Sequence, residues 1–318
     1  MSKTTVLCSI AIAVVASGCA SVPVGPTSVF DVDIDVRAET TIVQVNSGDI
    51  VGWDYLVEAI DGADVVLLGE LHDHAVGHAV QLAVVEDVMD RYPGSALALE
   101  MLERDEQLRV DDYMEDFIDA KTLAAITQSK NWGGDGGWEA WYQPIIDAAK
   151  LRGGRVVAAN APRRYVRLAR TDGYERIEDL PKERRVFVDY PEVLSSGRYR
   201  ERFWEYASHD EDESEEVDVT TIDPDDPMLP TFKSMQAWDA TMAQSIVDAD
   251  PTKKQKVVLL VGQFHVEYDG GVVQELRNRM PSLSVLVVSI QKTFPEPEDE
   301  WQAEPQISDI MIVENASD

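Results

Sequence analysis

Five short runs of apolar residues punctuate the chain, and their pattern sets the fold expectation. They are Asp64–Gly69 (DVVLLG), Ala96–Glu100 (ALALE), Arg155–Asn160 (RVVAAN), Lys256–Gly262 (KVVLLVG) and Leu283–Ile290 (LSVLVVSI). Each is nearly continuous in Val, Leu and Ala rather than alternating with polar residues, the mark of parallel strands covered on both faces. Between them lie stretches with apolar residues at helical spacing. Val76–Tyr92 stops at Pro93-Gly94, Trp138–Leu151 stops at Gly153-Gly154, and Phe232–Val247 ends before Pro251. Pro and Gly terminate helices for opposite reasons, one lacking the N–H, the other entering conformations closed to other residues. The order β-α-β-α-β, a long helical and acidic stretch, then β-α-β predicts an α/β fold. It is a mostly parallel sheet with helices on both faces and a helical insertion or lid, supplied by residues 101–135 and 163–250.

The N-terminus adds an address. Lys3 precedes an apolar run, Val6–Ala16, of about eleven residues, too short for a spanning helix of roughly 20 but suited to a secretory signal. It leads into Ala16-Ser17-Gly18-Cys19, which resembles a lipobox, so residues 1–18 read as a lipoprotein signal peptide and Cys19 as the lipidation site. The only two cysteines are Cys8 and Cys19. The mature domain therefore has neither a disulfide framework nor a thiol nucleophile. Ala20 after Cys19 matches outer-membrane sorting, with the anchored protein facing the periplasm or the surface. Residues 19–37, small and Pro/Gly-rich over 20–30, read as a tether, residues 38–292 as one domain, and 293–318 as an acidic C-terminal tail.

Hydrophobic residues make up 44% of the 318, enough for a sizeable core, and the formal net charge is −31. A surface that acidic repels phosphate backbones, so no nucleic-acid partner is expected. The densest acidic runs, Asp210–Asp218, Asp223–Asp226 and Glu296–Glu300, read as solvated loops.

Reactive side chains gather where strands end. The first ends Glu70-Leu71-His72-Asp73-His74, with His78 and Gln81 just beyond. The second ends at Glu100, the third at Asn160-Ala161-Pro162-Arg163-Arg164, and the fourth at Gly262-Gln263-Phe264-His265. Ligands of open α/β sheets bind beyond the carboxyl ends of the strands, so Glu70, His72, Glu100, Asn160 and His265 predict one site there. Such a site requires His72 and His265 to line a common cavity. Three chemistries fit. Glu70, His72 and His265 could hold a divalent metal, with Glu100 as base. His72 could serve as the general base of a metal-free hydrolase. A His or Tyr could ligate haem iron, with Arg104, Arg163 or Arg164 on the propionates. His74 and His78 share a helix face, yet no Glu follows His74 as the H-E-x-x-H motif requires. Trp132, Trp138 and Trp141 are candidates for stacking or for core. Asp239 and Gln236 face either the pocket or solvent. Gly270-Gly271 before the helix Val272–Arg279 offers a place for an anion.

These residues carry a resemblance. The stretches GELHDHAVGHAVQ (69–81), ALEMLERDEQ (98–107), WEAWYQPIIDAAK (138–150), VVAANAPRR (156–164), MQAWDATMAQSI (235–246) and VGQFHVEYDGG (261–271) resemble the ChaN-like haem-binding lipoproteins of the Tiki and erythromycin-esterase-like superfamily. The resemblance spans about residues 38–290. It implies an outer-membrane lipoprotein linked to iron or haem uptake that binds haem or an iron complex, as cofacial pairs between two subunits of a homodimer. It puts Glu70, His72, His78, Glu100 and His265 at motif positions. It also implies a tyrosine iron ligand, for which Tyr142, Tyr165, Tyr199, Tyr206 and Tyr268 are the candidates. Relatives in the superfamily use the same GExH…E…GxxH set for hydrolysis, so a metal-dependent peptidase or esterase is the alternative.

Overall fold

A computed structural model describes residues 30, 32, 34–134, 136–208, 222–296, 301–303 and 305–315. Cys8, Cys19, the expected signal segment 1–18 and the acidic run Asp210–Asp218 lie outside the described residues.

The strands are β1 (Thr40–Gln44), β2 (Asp49–Val51), β3 (Val65–Glu70), β4 (Ala96–Glu103), β5 (Arg155–Asn160), β6 (Val257–Gly262), β7 (Val285–Gln291) and β8 (Ile310–Glu314). They form one sheet in the order β2-β1-β8-β7-β3-β6-β4-β5. From β8 to β5 every pairing is parallel, and the β1–β2 hairpin closes one edge antiparallel to β8. The five apolar runs are β3 to β7, so the central strands follow the sequence pattern. The expected mostly parallel α/β sheet with helices on both faces is what forms.

Among the described residues, the α-helices of eight residues or more are α1 (Trp53–Gly62), α2 (Ala75–Arg91), α3 (Gln107–Met114), α4 (Gln143–Leu151), α5 (Arg163–Thr171), α6 (Arg198–Ser208), α7 (Leu229–Asp248) and α8 (Gly271–Arg279). Alternation along the strands sorts their side chains. Val66, Leu68, Leu97 and Leu99 enter a core shared with Leu56 and Ile60 of α1, α2 residues such as Val80 and Val84, and Ile145 and Ile146 of α4. Val65, Leu67, Ala96, Ala98, Val257 and Leu259 enter a second core under Met242 and Ile246 of α7 and Leu276 of α8. Each fully buried Val or Leu contributes about 1.5–3 kcal/mol, and every residue of β3, β4 and β6 is buried.

Three boundaries differ from the sequence expectation. Residues 293–318 are not merely an acidic tail: Ile310–Glu314 is β8, inserted between β1 and β7, with Ile310, Met311, Ile312 and Val313 buried. The apolar IMIV run outweighs the acids before it because a sheet interior rewards burial and ignores neighbouring charge in sequence. The segment 19–37 is not tether throughout, since Phe30 and Val36 pack into the first core. Finally, α7 is no part of a lid: it covers the second face of the sheet. Among the described residues no helix is long and apolar enough to cross a membrane.

Candidate functional site

The site forms beyond the carboxyl ends of β3, β6 and β4, three adjacent strands. Strand alternation decides how it is built. Glu70 continues the row of Val66 and Leu68 and turns toward the α2/α4 face. Glu100 continues Ala96 and Ala98 and turns toward the α7/α8 face. The two carboxylates thus belong to opposite faces, and the imidazoles that follow β3 and β6 meet across the sheet edge.

On the first face, Glu70 is buried and fully partnered. It accepts from His72 Nδ1 at 2.7 Å, from the Tyr142 hydroxyl at 2.6 Å, and from the Gln81 amide. The Gln81 oxygen then meets His78 Nδ1 at 2.9 Å. Burial opposes the charge on Glu70, but these imidazoles and the phenol hold its pKa below the usual carboxylate range. Burial and the Glu70 charge push the Tyr142 phenol far up, so it stays protonated. A single π-helical turn at Trp138–Tyr142 presents this side. It stacks Trp141 on His78 at 5.0 Å between ring centroids and delivers Tyr142 to Glu70, a use of π-turns common at functional sites.

On the second face, His265 donates from Nδ1 to Asp239 at 2.6 Å. Asp239 also accepts from Tyr199 at 2.6 Å and from Gln236 at 3.0 Å. The other ring nitrogen, Nε2, lies 3.6 Å from Glu100, which in turn accepts the Gly262 N–H at 2.6 Å. Burial disfavours a charged His265, yet Asp239 and Glu100 on either side raise its pKa to about 9.

Gly262 is the floor between the two halves. A Cβ there would sit 3.3 Å from His72 Nε2 and 3.5 Å from Glu100. His72 and Glu100 therefore flank one point, Glu100 touches His265, and the two imidazoles influence each other's charge. Glu100 is thus the residue that links His72 to His265. His72 is the accessible member, its side chain 39% exposed against 8% for His265 and 7% for Glu100. Burial works against its charged form, but Glu70 and Glu100 raise its pKa. At the mouth, Trp132 meets His72 edge-on at 5.0 Å and carries Arg163 over its ring at 5.2 Å.

The remaining candidates take other places. His78 is wholly buried and braces Glu70 from behind. Asn160 spends its amide on the Glu100 carbonyl and its oxygen on the Ala161 N–H, so it shapes the end of β5. Arg104 is tied to Asp189 and Arg164 to Asp105 and Glu103, which leaves Arg163 as the arginine beside the mouth. His74 turns away from the site to Glu314 of β8 at 2.9 Å. Trp138 is core. The metal alternative does not find its ligand set. Among the described residues no three His, Cys, Asp or Glu side chains converge to hold an ion, and both oxygens of Glu70 are already engaged. Nor is Gly270-Gly271 an anion site. A Cβ on Gly271 would overlap the Asp239 carboxylate, and one on Gly270 the His265 carbonyl, so the glycines admit the close packing of the turn against α7. Asp239, Tyr142 and Tyr199 are the site residues that sequence leaves undecided. Nothing local distinguishes them from other polar residues on helices; the strand-end motifs opposite them are the only signal.

The match to the haem-binding uptake, Tiki superfamily, ChaN family model runs over residues 56–276. No curated protein matches the chain in sequence. Among solved structures, the cofacial haem-binding ChaN of Campylobacter jejuni superposes with a TM-score of 0.62 at 18% identity, over 88% of this chain and 98% of that one. The type III effector HopBA1 follows at TM-score 0.46, 14% identity, and 83% and 93% coverage. A mutant of the erythromycin esterase EreC in its open conformation stands at 0.42, 13%, and 80% and 77%. The chain belongs to the ChaN family of haem-binding uptake proteins in the Tiki superfamily.

Proposed function

We propose that this chain is a lipid-anchored outer-membrane protein that binds haem or a related iron complex for uptake, a carrier rather than a catalyst. The observation that carries this reading is the mouth of the site. There an accessible imidazole, an indole and an arginine without an ion-pair partner among the described residues stand together on a family-typical fold. Haem needs those three things: a nitrogen donor for iron, a flat apolar surface for the porphyrin, and a cation for a propionate. The donor set fits the group in kind, an imidazole, an indole and an arginine, and Gly262 bears no Cβ to press on His72. Cys19 and the preceding lipobox-like segment support the anchor. The cofacial binding named for the Campylobacter protein supports pairing of two subunits, each presenting its mouth to the other.

The test is titration of the purified chain with hemin. Saturable binding at micromolar protein with a shifted Soret band is the expected result, and Arg163→Glu weakens it about tenfold, the scale of one charged hydrogen bond. A titration curve without saturation would defeat the proposal.

A second reading rests on one specific feature. Glu70–His72 and Asp239–His265 are both acid–imidazole pairs of the kind that orients a general base. A metal-free esterase would use His72 as that base. Chelator-resistant hydrolysis of activated esters, lost in His72→Ala, is its signature.

A further inference from the structure

We infer that Arg163, Arg167 and Arg170, on one face of α5, form a cationic track that receives the carboxylates of an anionic ligand and delivers them to the mouth of the site. The inference rests on the haem-binding reading and deepens it. It names the residues that let the chain capture a porphyrin dicarboxylate faster than a neutral porphyrin.

The helix itself sets the track. α5 reads RRYVRLART, four arginines and no acid. At 3.6 residues per turn and 1.5 Å of rise, positions 163, 167 and 170 fall within about 60° of one another and span about 10.5 Å. All three are exposed. The opposite face is committed to packing, with Tyr165, Val166 and Ala169 buried in a cluster with Ile177 and Val188. Arg164, a hundred degrees or so off the stripe, is tied to Asp105 and Glu103. The other three have no ion pair and no side-chain hydrogen bond among the described residues. Acids outnumber Lys and Arg 59 to 28 in this chain, so partners for arginine are plentiful. A face serving only solvation would mix its signs; this one does not.

The inner end of the stripe meets the site. Arg163 opens α5 just beyond Asn160, and its guanidinium lies over Trp132 at 5.2 Å, the indole that meets His72 at 5.0 Å. The path therefore runs from Arg170 through Arg167 and Arg163 to the mouth. The helix end is not itself the anion site, because Glu103 accepts the Arg163 N–H at 3.1 Å. The guanidinium forks are, since each can hold a carboxylate through two parallel hydrogen bonds. The stripe is one helix face wide in a chain of net charge −31. An extended polyanion, whether a phosphate backbone or an anionic bilayer, would meet the surrounding acids as well; a small dianion can meet the arginines alone.

The experiment is stopped-flow binding of hemin to the full chain. It is run at about 0.15 M ionic strength, where a screening length of roughly 8 Å mutes distant acids but not charges near contact. Arg167→Glu and Arg170→Glu should each slow association about three- to tenfold, with dissociation nearly unchanged. Arg167→Lys, which keeps the charge, should stay close to the parent. Lys254→Glu makes the same change in net charge just before the amino end of β6, at the opposite edge of the sheet, and should leave the rate near the parent's. Hemin dimethyl ester, with its carboxylates masked, should bind at a rate indifferent to Arg167→Glu. Equal slowing by Lys254→Glu, equal slowing of the ester, or hemin association untouched by both arginine reversals overturns the inference and leaves haem binding intact. Failure of the parent chain to bind hemin overturns both.

Discussion

At the scale of single residues, the site is two acid–imidazole pairs with different exposure. His72 of the Glu70–His72 pair is partly exposed, whereas Asp239 and His265 are both sealed from solvent. The sealed pair has a measurable consequence. His265 titrates near 9 in the folded chain, against about 6.5 when unfolded. A folded pKa above the unfolded one means that the pair's full contribution is present below pH 6.5. It is lost as pH rises through 9. Urea unfolding should therefore show stability falling between about pH 6.5 and 9.5 by up to about 3 kcal/mol, and Asp239→Asn should flatten that slope. A slope indifferent to Asp239 would show that the pair makes no such contribution.

At the scale of elements, the turn from β6 into α8 carries the strain that seats His265. Tyr268 and Asp269 both adopt left-handed backbone conformations, at φ 52° and 59°, each costing about 1 kcal/mol in a non-glycine residue. Arg277 ties Asp269 at 2.7 Å, and Tyr268 donates its N–H to the Ile307 carbonyl at 3.1 Å. Gly271 then lets α8 approach Asp239. Gly271→Ala forces a methyl group into the Asp239 carboxylate, so it should destabilise the fold by about 2–3 kcal/mol and weaken hemin binding as well, read by thermal denaturation and titration of the same sample. Unchanged melting would show that α7 and α8 are free to part. How far such elements can be read from sequence depends on their periodicity. α2 and α7 are visible as helices, and β3 to β7 as strands, because each repeats one pattern over its whole length. β1, β2 and β8 are not: they are short, edge-like or flanked by acids, and what makes them strands is pairing with partners distant in the chain. The Glu70, His72, Glu100 and His265 quartet is legible from strand ends. Asp239 and Tyr142 are not, since helix residues face a site only after the helix is docked.

At the scale of the whole molecule, charge governs how a ligand arrives. Under the proposed haem-binding reading, the formal net charge of −31 opposes the long-range approach of haem's two carboxylates, and Arg163 is the cation that would attract them at short range. Raising ionic strength from about 0.01 to 0.15 M shortens the screening length from roughly 30 to 8 Å. It should speed hemin association several-fold while leaving the dissociation rate nearly unchanged, as stopped-flow absorbance would record. An association rate that falls with salt would mean that a local positive field, not the global negative one, steers the ligand.

By itself the sequence determined the fold class, the strands that form the sheet centre and the edge at which chemistry collects, because hydrophobic period and strand-end position are local properties of the chain. It also determined that residues 20–318 contain no cysteine, so no disulfide can form within that stretch. Only the tertiary structure decided which acid serves which imidazole, which arginine stands at the mouth, and which tyrosines are spent on carboxylates. Those outcomes depend on helices α2, α4 and α7 meeting opposite faces of one sheet, and no segment of the chain encodes the distance to another until both are packed.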